Sequence, residues 1–220
     1  MKTSALIPTD HSNPVFEKIL LTCGILSSCW YVAINIYVPL RYKGYSLSSL
    51  TISELSALGS PTRTLWLLAV IPYLILFAAF GWGLLKTSQQ KSPLRKIGAL
   101  ILAYCFFNGY WPPMHARGEE PTLTDTLHIV WAAVTVILML VIMALGAKAF
   151  GKAFRWYTIL SILFLIVFGA LTSLEAPNIP VNKPTPMIGV WERINIGIYL
   201  CWIAALSAGA LRTVKRPSRD

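Results

Sequence analysis

Three carboxylates, two histidines and two arginines stand out in this chain as groups able to do chemistry: Glu54, Asp125, Glu192, His115, His128, Arg63 and Arg193. Asp125, His128, Ala132 and Thr135 recur at the i, i+3, i+4 spacing that sets side chains on one stripe of a helix. Asp125 and His128 are then one turn apart and within reach of a common partner. Glu192, Asn195, Tyr199 and Trp202 make a second stripe, and Tyr104, Asn108 and Trp111 a third that leads toward His115. Imidazole and carboxylate are the ligand types of a zinc-like ion, which makes His115, His128, Asp125 and Glu192 candidate metal ligands. The H-x12-H spacing, with D-x-x-H inside it, is no established signature.

Three uses of these residues differ in chemistry. Ranked first is a pocket for a lipid or small amphipathic molecule, lined by Glu54, Arg63, Tyr104, Asn108, His115, Asp125, His128, Glu192, Arg193, Asn195 and Tyr199, with Arg193 or Arg63 pairing an anionic headgroup. Second is a metal-dependent lipid hydrolase, in which zinc lowers the pKa of a water toward about 7 and Glu54, Asp125, His128 and Glu192 are the candidate catalytic groups. Third is a proton-coupled transporter using the carboxylates and His128 as a relay. Each residue also has a structural reading. Asp125 suits a helix N-terminus, and Glu192 and Arg193 can join Glu54 and Arg63 in an ion-pair network. Trp111, Trp131 and Trp191 fit an interfacial aromatic belt.

The elements that must position these groups are membrane helices. The 220 residues are 55% hydrophobic and only 13% charged, about half the charged share of soluble domains, and the mean hydropathy is positive. Apolar runs near 19–40, 64–85, 97–111, 124–147, 156–174 and 187–211 meet the roughly 20-residue length of a span. The third is short and ends at Pro112-Pro113, and Pro72 predicts a kink in the second. The spacing therefore predicts an all-α bundle of six transmembrane helices. Residues 45–59 predict a short interfacial helix, with Leu47, Leu50 and Leu58 on one face beside Glu54 and the serines Ser49, Ser53 and Ser56 opposite. In the sixth helix Gly197, Cys201, Ala204, Ala205 and Ala208 form a stripe suited to close packing.

The net charge of +10 does not read as a nucleic-acid patch, because the basic residues lie in short clusters between apolar runs. Lys2, Lys18, Lys86, Lys91, Arg95, Lys96, Lys148, Lys152, Arg155, Arg212, Lys215, Arg216 and Arg219 fall on one side of the expected membrane. Only Arg41, Lys43, Arg63, Arg117, Lys183 and Arg193 fall on the other, which also holds Glu54, Glu119, Glu120, Asp125, Glu175 and Glu192. The positive-inside rule places both termini in the cytoplasm of a cell bounded by its inner membrane. The organisation expected is a cytoplasmic tail (1–17), one transmembrane domain (18–211) and a basic cytoplasmic tail (212–220). Residues 1–16 lack a signal-peptide core. Cys23, Cys29, Cys105 and Cys201 all fall in apolar runs, as small packing residues.

The segments WPPMHARGEEPTLTDTLHIVWA (111–132), ISELSALGSPTR (52–63) and GVWERINIGIYLCW (189–202) resemble a bacterial and archaeal membrane family called domain of unknown function 998. The resemblance implies six helices, an ISEL-type motif after the first helix and an ER pair opening the sixth. Trp111 stands where that family carries phenylalanine. A more distant similarity is to the Frag/DRAM/Sfk membrane proteins, some of them linked to lipid-anchor remodelling. The resemblance matches Glu54, Asp125, His128, Glu192 and Arg193 and implies no specific activity.

Overall fold

A computed structural model describes residues 13–88 and 92–214; both tail ends (1–12 and 215–220) and residues 89–91, Lys91 among them, lie outside the described residues. Six α-helices follow one another: α1 (Pro14–Tyr37), α2 (Arg63–Thr87), α3 (Pro93–Asn108), α4 (Leu123–Gly146), α5 (Lys152–Glu175) and α6 (Ile188–Thr213). Three of them, α1, α3 and α4, start on a side-chain cap. Asn13 Oδ1 accepts from the Val15 and Phe16 amides ahead of Pro14, Ser92 Oγ accepts from the Leu94 amide, and Thr122 with Asp125 closes a capping box on α4. Pro72 sits inside α2, which continues past it.

Each helix packs on its neighbours in the chain, and α6 closes the ring against α1. Glycine lets backbones meet where the ring is tightest. A Cβ on Gly98 would stand 2.6 Å from the Gly81 carbonyl, and one on Gly24 would stand 2.8 Å from Ser207 Cβ. Ser28 Oγ donates to the Leu200 carbonyl (2.9 Å) and Ser207 Oγ to the Leu21 carbonyl (2.6 Å), which fastens α1 to α6 with hydroxyls that lipid could not satisfy. Inside the ring, Tyr31, Tyr73, Phe77, Tyr104, Tyr199 and Trp202 form a continuous aromatic column.

The stripe of Gly197, Cys201, Ala204, Ala205 and Ala208 is not the packing seam its composition suggests. Cys201 is exposed and no atom lies within 4 Å of a Cβ built on Gly197. The close contacts of α6 use Gly189, Ser207 and Gly209 instead.

Among the described residues, five helices are long and apolar enough to cross a membrane. With 16 residues, α3 spans only about 24 Å at 1.5 Å per residue, short of a hydrocarbon core about 30 Å thick. The outward surface carries large apolar side chains such as Leu68, Ile75, Leu163, Phe164 and Val167, a face for acyl chains rather than water. The protein is a multi-pass helical membrane bundle.

Candidate functional site

At one end of the bundle, the loops after α1, α3 and α5 meet the first turns of α4 and α6, and here the ionisable residues are fastened. Residues 45–59 do not form the continuous interfacial helix expected of them; they fold as turns with a four-residue 3-10 segment, Ser53–Ser56. The reason lies in the carbonyls of residues 47–50, which are committed to other elements and so cannot build a helical ladder. Arg193 Nη1 donates to the Leu47 (2.9 Å) and Leu50 (3.2 Å) carbonyls, the Gly189 amide to Ser48 (2.8 Å), and Arg117 Nη2 (3.2 Å) and Thr185 Oγ1 (2.9 Å) to Ser49. Arg193 Nη2 also donates to the Tyr45 hydroxyl at 2.6 Å, and Tyr45 in turn donates to the Thr51 carbonyl at 2.6 Å. Burial pushes the Tyr45 phenol up, with Arg193 beside it pulling the other way. Gly189 is required, since any side chain there would run into the Leu47 and Leu50 carbonyls.

Glu54 is 6% exposed and bound to Arg117, not to Arg63. Arg117 Nε donates to Oε1 at 3.0 Å and Nη2 to Oε2 at 3.2 Å, while Nη1 reaches Thr185 Oγ1 at 2.9 Å. One guanidinium thus ties the loops after α1, α3 and α5 together, the bidentate service that arginine gives and lysine does not. The Thr51 amide (2.7 Å) and hydroxyl (3.0 Å) complete the shell of Glu54. Arg63 donates instead to the Ser56 carbonyl. Glu192 accepts from the Ile52 amide.

Asp125 and His128 do not share a partner, although they lie one turn apart. Asp125 accepts from the His115 amide (2.7 Å), the Thr122 amide (2.8 Å) and His115 Nδ1 (2.8 Å), so it serves the loop before α4. His128 points inward and is 7% exposed. Its Nδ1 lies 2.8 Å from the Pro112 carbonyl and its Nε2 3.1 Å from Ser53 Oγ. Trp111 and Trp131 flank the imidazole, each with its ring centroid 5.8 Å away.

Beneath this layer lies a cavity of about 960 Å³, at the upper end of the size range of ligand pockets. Tyr104, Asn108, His115, Asp125, His128, Glu192, Asn195 and Tyr199 all line it; Glu54, Arg63 and Arg193 do not. The rest of the wall is chiefly apolar, including Val70, Leu74, Met139, Leu140 and Leu165. Ile129 and Ile137 of α4 and Ile166 of α5 both line it and are exposed, so it opens sideways between those two helices, the most sparsely packed neighbours in the ring. Three buried donors in the lining have no partner among the described residues: Trp111 Nε1, Trp131 Nε1 and the Tyr199 hydroxyl.

The DUF998 family, described as "Protein of unknown function (DUF998)", matches residues 25–209. The chain belongs to the DUF998 family. No match was found among curated proteins or among solved structures. The matched span takes in α2 to α5 whole, the greater part of α1 and α6, and every residue of the loop layer.

The side chains do not fit the metal centre expected of His115, His128, Asp125 and Glu192. Among the described residues no three His, Cys, Asp or Glu side chains converge as a metal ligand set. His115 Nδ1 and Asp125 are taken up by each other, and both nitrogens of His128 already have partners. Two participants escape sequence analysis. Arg117 is 63 residues from Glu54 along the chain, and nothing in the spacing of two loop residues pairs them. Ser53 sits beside Glu54 in the ISEL motif, but helical spacing turns it away from the bundle. The 3-10 turn directs it to His128.

Proposed function

We propose that the protein binds a lipid or other amphipathic molecule in the cavity, apolar chain along the interior and polar end at the loop layer. The observation that carries this reading is the cavity itself, about 960 Å³ with a chiefly apolar wall and a polar end where Asn108, His128, Glu192 and Asn195 line it. The side opening between α4 and α5 supports entry from the lipid phase. Headgroup recognition falls to neutral donors and to the Asn108 and His128 region, because Arg63 and Arg193 are committed to loop carbonyls. In this reading the protein has six spans, with α3 held in place by α2 and α4, and lies in the cell's inner membrane with both termini cytoplasmic, as the lysine and arginine bias requires. The ligand layer then faces outward.

The test is native mass spectrometry of protein extracted in mild detergent, comparing wild type with Ala132→Trp, which fills the cavity from α4. Wild type is expected to carry a lipid-sized adduct that the variant loses while keeping its thermal stability. Equal adducts on both, or none on either, would remove the cavity as the binding site.

A further inference from the structure

We propose that Ser53 and His128 form a nucleophile–base pair that hydrolyses the ester of a long-chain acyl group held in the cavity. This rests on the binding reading above and adds a reaction to it. The Pro112 carbonyl can only accept, so His128 Nδ1, 2.8 Å away, carries the ring proton. Nε2 then presents its lone pair to Ser53 Oγ at 3.1 Å, and the serine hydroxyl donates. That is the relation of nucleophile, base and orienting group which activates serine. A backbone carbonyl takes the orienting place that a carboxylate holds in Ser-His-Asp enzymes.

The supports of both side chains are rigid. Pro112 is buried and followed by Pro113, so the backbone angle is fixed at both residues. The chain around Ser53 is pinned by the Thr51 amide on Glu54, the Ile52 amide on Glu192 and Ser56 Oγ on the Ser53 carbonyl (2.9 Å). Glu54 and Glu192 are therefore positioning residues. Ser53 and His128 both line the cavity. The Trp111 and Trp131 rings pack on either side of the imidazole and help hold its orientation.

In the reaction, Ser53 Oγ attacks the ester carbonyl carbon as its proton passes to His128 Nε2. The carbon–oxygen bond to the alcohol breaks, and the leaving oxygen takes that proton. Water then attacks the acyl-serine, giving its proton to Nε2. Ser53 Oγ departs with the proton and a carboxylic acid is released. No electrons are exchanged, and water is the only co-reactant.

The full chain in lipid nanodiscs is treated with an alkyl fluorophosphonate, and the adduct is located by peptide mass spectrometry. The expected result is one adduct, on Ser53, absent in Ser53→Ala and formed about 100-fold more slowly in His128→Gln, the size of a general-base contribution. p-Nitrophenyl palmitate is expected to be hydrolysed faster than p-nitrophenyl butyrate. Native spectra of Ser53→Ala keep the lipid adduct if binding and chemistry are separate. Lipid-carrying wild type with no label on Ser53, or labelling that persists in Ser53→Ala, overturns the dyad and leaves the binding reading standing. Label on Ser53 in a protein that carries no lipid upholds the dyad and defeats the binding reading. Faster turnover of the butyrate overturns the long-chain assignment.

Discussion

Arg117→Ala should be the most destabilising single change in the loop layer. The Arg117 and Glu54 side chains are both largely buried, and they meet through two N–H···O contacts of 3.0 and 3.2 Å. Removing the cation leaves a buried carboxylate with only the Thr51 donors, and takes the Nη donors from the Ser49 carbonyl and from Thr185. Breaking a buried pair from one side costs about 3–5 kcal/mol. At roughly 2–4 °C per kcal/mol for a chain of this length, the melting temperature should fall by about 10 °C. Arg117→Lys, which keeps the charge but not the fork, should recover part of that loss. The assay is thermal unfolding in detergent followed by tryptophan fluorescence, run as a cycle with Glu54→Gln and the double variant Glu54→Gln/Arg117→Ala. The double variant should lose less than the two single losses combined, and the penalty should change little with added salt, because a buried pair is poorly screened. A drop under about 2 °C, strict additivity, or a penalty that vanishes in salt would refute the reasoning.

Arg193→Gln should free the segment around Leu47–Leu50, seen as faster hydrogen exchange in peptides covering residues 45–52; unchanged exchange would mean that the carbonyl contacts of Arg193 do not hold the loop. Gly98→Ala should cost about 1–3 kcal/mol by forcing α2 and α3 apart, whereas Gly197→Ala should be neutral or stabilising by about 0.5–1 kcal/mol from helix propensity. Thermal unfolding of the two variants checks this contrast, which follows from the 2.6 Å approach at Gly98 and the open surroundings of Gly197. Tyr199→Phe should leave stability within about 0.5 kcal/mol, since the lost hydroxyl has no partner among the described residues, as thermal unfolding will check. Strong destabilisation would show that this hydroxyl has a structural partner.

Much of the frame was legible because membrane insertion writes itself into composition. Six apolar runs, their capping residues and their basic flanks specify helices one at a time, and the described helices start within a few residues of the expected positions. The inward stripes of α4 and α6 were equally legible: a polar side chain that lipid will not take must face the interior, and His128, Thr135, Asn195, Tyr199 and Trp202 are buried. Eight of the eleven residues expected at the pocket line the cavity. The three that do not, Glu54, Arg63 and Arg193, are held by partners in the loops. A loop charge can meet any group of the opposite kind at that end of the bundle, and periodicity is silent about which.

The sequence by itself determined which runs become apolar helices and which faces turn inward, because those choices depend only on local transfer energies and on the 3.6-residue repeat of the helix. The tertiary structure alone decided that Arg117 closes on Glu54, that residues 45–59 surrender their helix to satisfy α6, and that Ser53 faces His128. Those pairings arise from the geometry of three loops brought together by the ring of helices, and no single segment carries them.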